Sequence, residues 1–281
     1  MNRPTRALDL RRLTSLIIAA VLCLAILAPS AVAATAPAPV SAAAVTAAET
    51  AMVAALNADR TALGLVPVHV DARLMAIARA RSVDMATKGY FSHTQPDGRN
   101  VFNILTAQKI TWYSAGEIIA VNNYPMDSTA SVANRQWMNS PGHKAIIISK
   151  DLNYVGVGLA LDPATGKKLW TAVYIKGPDR TGGRATVTGA ALRTGPTADS
   201  RYAKLTWSGY DPKLQVLTAG LATFTVQRRI DGGAWTTAVT STTSTYTTFQ
   251  VRIGHLTEFR IAARDKRGNQ GAWSTRVIDL R

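Results

Sequence analysis

A change of pattern near Gly177 constrains this 281-residue chain more than any other feature. Before it, apolar residues recur at helical spacing. After it that period is gone, and short runs rich in Thr and Val take over. Such a chain divides into an α+β part and an all-β part. In the first part, Met52, Val53, Leu56 and Leu63 share a helix face that Gly64 and Pro67 bring to an end. Thr46 followed by Glu49 predicts a capping box, so ordered structure is expected to begin at 46. A second helix is expected from Asp71 to just before Gly89, with Leu74, Ala78, Ser82 and Met85 in register. Shorter helices are expected over residues 100–108 and 128–138, a strand over 113–120, and a hairpin of 154–161 with 169–175 turned by Asp162-Pro163-Ala164-Thr165-Gly166. In the second part, residues 204–207, 223–230, 246–253 and 259–263 read as strands at the spacing of a small β-sandwich.

The N-terminus carries a different signal. Arg3, Arg6, Arg11 and Arg12 precede an apolar run over residues 16–28 and then Ala31-Val32-Ala33. That is the layout of a secretory leader cut after Ala33, and the run falls short of the roughly 20 residues that span a bilayer. Arg11-Arg12 also suits a twin-arginine leader, so the export route is open. Cys23 is placed as a lipid-attachment cysteine would be, but Leu22 is bulky where such signals carry a small residue. The leader is expected over 1–33, an Ala/Pro-rich spacer over 34–45, the α+β domain over 46–177, a linker over 178–184 and the β domain over 185–281. Cys23 is the one cysteine in the sequence. Its removal leaves no disulfide, thiol catalysis or Cys-rich zinc site, so the exported chain must fold on its hydrophobic cores.

Three polar residues stand out in the first domain. His93 and His143 sit in turn-rich segments, Phe91-Ser92-His93-Thr94-Gln95-Pro96-Asp97-Gly98 and Ser140-Pro141-Gly142-His143-Lys144. Glu117 lies inside an apolar strand, Gly116-Glu117-Ile118-Ile119-Ala120, where a carboxylate is costly to bury unless it is paired, hydrogen-bonded or on a metal. Two imidazoles and a carboxylate could form an open divalent-metal site such as zinc prefers, or an acid/base group. Their spacing is nonlocal and does not decide between these, or between them and exposed loop histidines beside a strand-end glutamate. His69, between Val68 and Val70, reads as a packed structural residue.

Several motifs occur together and in order. They are Asn57-x-x-Arg60 with Gly64-Leu65-x-Pro67, the Leu74/Ala78/Ser82/Met85-Ala86 helix, and Tyr90-Phe91-Ser92-His93 with Pro96-Asp97-Gly98. Gly116-Glu117, Trp137-x-x-Ser140-Pro141-Gly142-His143 and Val155-Gly156-Val157-Gly158 follow. With them residues 48–177 resemble the CAP superfamily (cysteine-rich secretory proteins, antigen 5 and pathogenesis-related 1) in its bacterial SCP-domain form. The resemblance implies an α-β-α sandwich with an antiparallel sheet and a cleft holding two His and two Glu. The site carries over as His93, Glu117 and His143. The second glutamate would fall at 140, where this chain has Ser140. The family's Gly-Glu-Asn is Gly116-Glu117-Ile118 here, and Lys144-Ala145 follows the histidine where Arg-x-Asn is common. The missing carboxylate leaves metal binding better supported than catalysis.

Residues 184–281 resemble fibronectin type III and related immunoglobulin-like modules. Trp207 stands at the early core tryptophan, and Phe259 stands where the corner tyrosine is usual. Charge separates by segment as well. Residues 34–180 hold 14 basic and 10 acidic residues, whereas residues 181–281 hold 14 and 6, a net +8. Arg228, Arg229, Arg260, Arg264, Lys266 and Arg267 are candidates for a cationic face, the plain alternative being a well-solvated arginine-rich surface. The expectation is a secreted protein at the cell envelope, a ligand- or metal-binding module rather than an enzyme. Its β domain would meet anionic wall polymer or a membrane surface; nucleic acid is not an expected partner. The alternatives are a metal-dependent hydrolase on peptide or wall substrates, with Glu117 as catalytic base and His93 and His143 on the metal, or a carrier of a lipid, sterol or other small hydrophobic ligand.

Overall fold

The computed structural model describes residues 40–281; the expected leader and all but the end of the spacer lie outside the described residues. The first helix, α1 (Ala42–Ala62), starts earlier than the Thr46 capping box predicts. Ser41 is its N-cap, accepting a bond from the Ala44 N–H at 3.2 Å. Alanine is the strongest helix former, so Ala42, Ala43 and Ala44 carry the helix back through the end of the expected spacer. Thr46 turns its hydroxyl to the Ala42 carbonyl. Glu49 is buried across the fold, accepting bonds from the Arg79 guanidinium and the Leu159 N–H. The expected capping box is therefore absent, because the carboxylate has a stronger partner in a guanidinium.

After β1 (His69–Val70), Asp71 caps α2 (Ala72–Lys88), and Gly89 closes that helix in the left-handed conformation at φ 67°. Next come α3 (Val101–Ala107), capped reciprocally by Asn100 and Asn103, β2 (Ser114–Asn122), α4 (Thr129–Met138) and α5 (Pro141–Ile147). The hairpin of β3 (Tyr154–Leu161) and β4 (Lys168–Lys176) completes a sheet of order β1-β3-β4-β2. All its pairs are antiparallel except β1 with β3. Alternation along the strands sorts the two faces. Val155, Val157, Trp170, Ala172 and Ile118 join Met52, Leu56 and Trp137 on the α1/α4 side, whereas Val173 and Ile175 pack with Leu74, Ile77 and Leu105 on the α2/α3 side. The result is helices on both sides of a mixed sheet, with β2 at its edge and Glu117 on the α2 side of that strand.

The remaining strands are β5 (Arg184–Thr194), β6 (Ser200–Tyr210), β7 (Leu221–Ile230), β8 (Thr236–Thr242), β9 (Tyr246–Arg252), β10 (Leu256–Asp265) and β11 (Ser274–Asp279). They form two antiparallel sheets, β5-β6-β9 and β11-β10-β7-β8, around Leu205, Trp207, Phe224, Val226, Phe259 and Ile261. Phe259, which lacks the hydroxyl of a corner tyrosine, stacks on Phe249 at 4.7 Å. The segment between the two regions is packed. Asp179 is 2% exposed and accepts bonds from Thr181 and the Ala219 N–H, while Arg180 reaches Asp71 at 3.2 Å and the Thr111 carbonyl at 2.8 Å. Leu214 belongs to the core of the first region, and Gln215 accepts from the Val66 N–H at 2.8 Å.

Two glycines let α2 lie directly on β3. A Cβ on Gly156 would stand 2.0 Å from the Leu74 carbonyl carbon, and one on Gly158 would stand 2.2 Å from the Arg79 nitrogen. Backbone cannot yield as a side-chain end can. Gly156→Ala is expected to destabilise by about 3 kcal/mol or more, read as a lower urea midpoint; an unchanged midpoint would show that the helix is free to shift.

Candidate functional site

The site is organised by a cation that the periodicity of α2 does not announce. Arg81 lies on the same helix stripe as Leu74, Ile77 and Met85, and its side chain is 0% exposed. A guanidinium there must find acceptors for its donors. Its Nε donates to Glu117 Oε1 at 2.9 Å, one terminal nitrogen donates to the Tyr90 hydroxyl at 2.7 Å, and the other to the Ser92 carbonyl at 2.8 Å and the His93 carbonyl at 3.3 Å. One side chain thus ties a helix, an edge strand and the loop that carries His93. Burial works against the charge of Arg81, but the bonds to Glu117 and Tyr90 outweigh it and hold its pKa above the ordinary value.

Glu117, 3% exposed, has its other oxygen, Oε2, 2.8 Å from His93 Nδ1. A carboxylate between a guanidinium and a ring nitrogen acts as an acceptor, so in the neutral ring the hydrogen belongs on Nδ1 and the lone pair on Nε2. The His93 side chain is 54% exposed, which leaves that outer edge accessible. His143 sits in the first turn of α5 and is half-buried. Burial, and secondarily the neighbouring His93, push its pKa below the ordinary value and favour the neutral ring.

Two grooves flank β2 here. One, of about 280 Å³, includes His93, Phe102, Gly116 and Glu117 in its lining; the other, of about 300 Å³, includes Phe91, Ile119, Trp137, Ser140 and His143. The three residues singled out in the sequence therefore gather at one edge of the sheet, with His93 bonded to Glu117 and His143 across from them. They do not close into a tight ligand set. Among the described residues, only Asp179, Asp211 and Asp265 bring three candidate ligand atoms within 4.8 Å of one another. For a divalent metal at the cleft the donors that fit are the neutral imidazoles, His93 through Nε2 and His143. Glu117 fits as the group that orients His93, since direct ligation would take it from Arg81 or from the ring. Ser140, where the family's second glutamate would stand, lines the apolar groove and makes no capping bond to α5. Ile118 points away into the α1-side core.

A second network braces the loop from behind. Asp84 accepts from Lys88, the Tyr90 hydroxyl and Gln95 Nε2. Burial opposes its ionisation, but those bonds prevail and hold its pKa at about 2. A carboxyl depressed in the folded state stabilises above its unfolded value, and that contribution fades as pH falls toward about 2. Asp84→Asn is therefore expected to flatten the decline of Tm between about pH 4 and pH 2 relative to the unsubstituted protein; parallel declines would remove Asp84 from the bracing role.

Comparison with known proteins concerns the first region. Residues 53–174 match the model of the cysteine-rich secretory protein family, CAP. Over 127 residues the chain is 33% identical to the uncharacterized protein YkwD of Bacillus subtilis, covering 45% of this chain and 46% of that protein. Over 128 residues it is 29% identical to the uncharacterized membrane protein YlbC of the same organism, covering 46% and 34%. The chain thus spans less than half the length of these curated relatives. A solved extracellular protein containing a SCP domain, from Bacillus anthracis, is 25% identical with a TM-score of 0.42, over 49% of this chain and 44% of that one. The motif series, the helix-sheet-helix layers and the matched model agree that residues 53–174 of this chain are a CAP domain.

Proposed function

We propose that the protein is exported and works at the cell envelope as a binding module, with a divalent metal such as zinc held at the edge of β2 by His93 and His143. The observation that carries this reading is the relay from buried Arg81 through Glu117 to His93, which fixes one imidazole tautomer with its free nitrogen outward. The depressed pKa of His143 supports the same use, because a ligand imidazole must be neutral. A bound metal would supply a Lewis acid in an open groove. Glu117 is poorly placed to serve as a hydrolytic base, since both of its oxygens are already engaged, and the side chain at 140 offers no second carboxylate. That weighs the binding role above the hydrolase role.

A second ligand class has one observation in its favour. The groove beside His143 is walled by Phe91, Ile119, Val121 and Trp137, which suits the apolar end of a lipid-like molecule. In the C-terminal region, the split into three and four strands and the buried Trp207 support a fibronectin type III-like sandwich. Its excess of basic residues supports contact with anionic wall or membrane material. Export is supported by the leader-like pattern of residues 1–33.

Titration calorimetry of the exported protein with Zn²⁺ tests the site. Saturable binding is expected, weakened about tenfold or more by His93→Ala and by His143→Ala, and less by Ser140→Ala. Binding indifferent to both histidines would overturn the assignment.

A further inference from the structure

Neighbouring arginines of β7 point to opposite faces of their sheet. Arg229 faces out, pairs with its cross-strand partner Glu258, and lies 4.6 Å over the Trp235 ring. Arg260 is stacked 4.3 Å from Trp235 and 4.5 Å from Trp273, and Gln227 Oε1 accepts from it at 2.8 and 2.6 Å. These two cations form an internally satisfied ladder, and the tryptophan faces they cover are closed to other ligands. The candidate cationic face is thus divided, because adjacent strand residues alternate sides.

Arg228 turns the other way, in register with the core residue Phe259, at the end of the sandwich. The cleft it lines is also lined by Arg252 of β9, which belongs to the opposing sheet. Among the described residues neither guanidinium has a hydrogen bond or ion pair. Asp199 feels Arg252 only as the smallest of its influences, behind its bonds to Thr197 and backbone. Both arginines line one cleft of about 360 Å³ together with Gln250, His255 and, on its floor, Val251. His255 is held in place by Asp231, 2.6 Å from its Nδ1.

We propose that this cleft between β7 and β9 binds the phosphate-ester group of a polyol phosphate. Two arginines without ion pairs, one from each sheet, line it, with Gln250 and His255 beside them. A carboxylate is satisfied by a single guanidinium fork, whereas a tetrahedral phosphate presents oxygens to several donors at once. The volume exceeds that of a bare anion and leaves room for the alcohol it esterifies. The cleft is concave and Arg228 is half-buried, so the phosphate must enter between strands, which a flexible polyol chain does more readily than headgroups fixed in a bilayer plane. The proposal deepens the reading of the β-rich region as the part that meets anionic envelope material, and it rests on that reading only for where the ligand is encountered.

Calorimetry of the exported chain with sn-glycerol 3-phosphate at low salt tests it. Saturable binding is expected, weakened about tenfold or more by Arg228→Gln with Arg252→Gln. Lys266→Gln with Arg267→Gln, which removes the same charge from the turn after β10, should change it less than about twofold. If the first pair melts early, Arg228→Lys with Arg252→Lys keeps the charge and should still weaken binding several-fold through loss of the planar fork. No saturable binding, or equal losses from both pairs, would overturn the pocket. Tight binding to phosphatidylglycerol vesicles in the absence of glycerol phosphate binding would overturn the polyol ligand in favour of a bilayer. If glycerol phosphate binds but the protein does not associate with isolated cell walls, the pocket stands and the envelope reading fails.

Discussion

The buried pair of Arg81 and Glu117 is the interaction on which the cleft depends. Each residue alone would be a charge stranded in an apolar layer, Arg81 between α2 and the sheet, Glu117 on an edge strand. Removing one partner of such a pair typically costs about 3–5 kcal/mol, because the other remains buried and unmatched. Together they neutralise each other, and their remaining hydrogen-bonding capacity is directed at the loop from Tyr90 to His93. Stability and function are coupled here: the same guanidinium that the core must satisfy also positions the outermost imidazole.

The surroundings follow the same economy. Gly156 and Gly158 bring α2 close enough to β3 for Ser82 to bond both the Gly158 carbonyl and Thr171, which sets the depth from which Arg81 reaches across to β2. Trp137 donates to the Ile119 carbonyl and fixes α4, and so the start of α5 with His143, against the other side of that strand. Arg60 plays a comparable part away from the site, collecting the carbonyls of Val66, Ile147 and Ser149 and so fastening the chain that leaves α5. Buried guanidinia in this domain serve as joints between segments distant in sequence.

Much of this was legible in the sequence, and the failures have physical causes. The α2 boundaries were readable because Asp71 and Gly89 are strong end signals, and the hairpin because its strands are apolar on both faces. Glu117 was visible as a charge in an apolar run, but its partner was not. Arg81 adjoins the register of Leu74, Ala78, Ser82 and Met85, and nothing local in a helix tells a buried arginine from a solvated one. The start of α1 is not legible at Ala42 because Ala42 to Val45 resemble spacer in composition, though alanine favours helix. Strands β5, β8 and β11 leave no clear pattern in the sequence because their exposed, Thr- and Arg-bearing residues blur the alternation. The division of the arginines into stacked and free ones depends on cross-strand register, which composition does not carry.

The central claim is that Glu117, held by Arg81, fixes the hydrogen of His93 on Nδ1 and leaves Nε2 open to a ligand. Long-range nitrogen–proton NMR of the histidine rings reads this directly. The account predicts the Nδ1-protonated tautomer for the neutral His93 ring in the unsubstituted protein, and a shift toward the Nε2-protonated tautomer in Glu117→Gln. A His93 ring already Nε2-protonated, or unaffected by loss of the carboxylate, would contradict it.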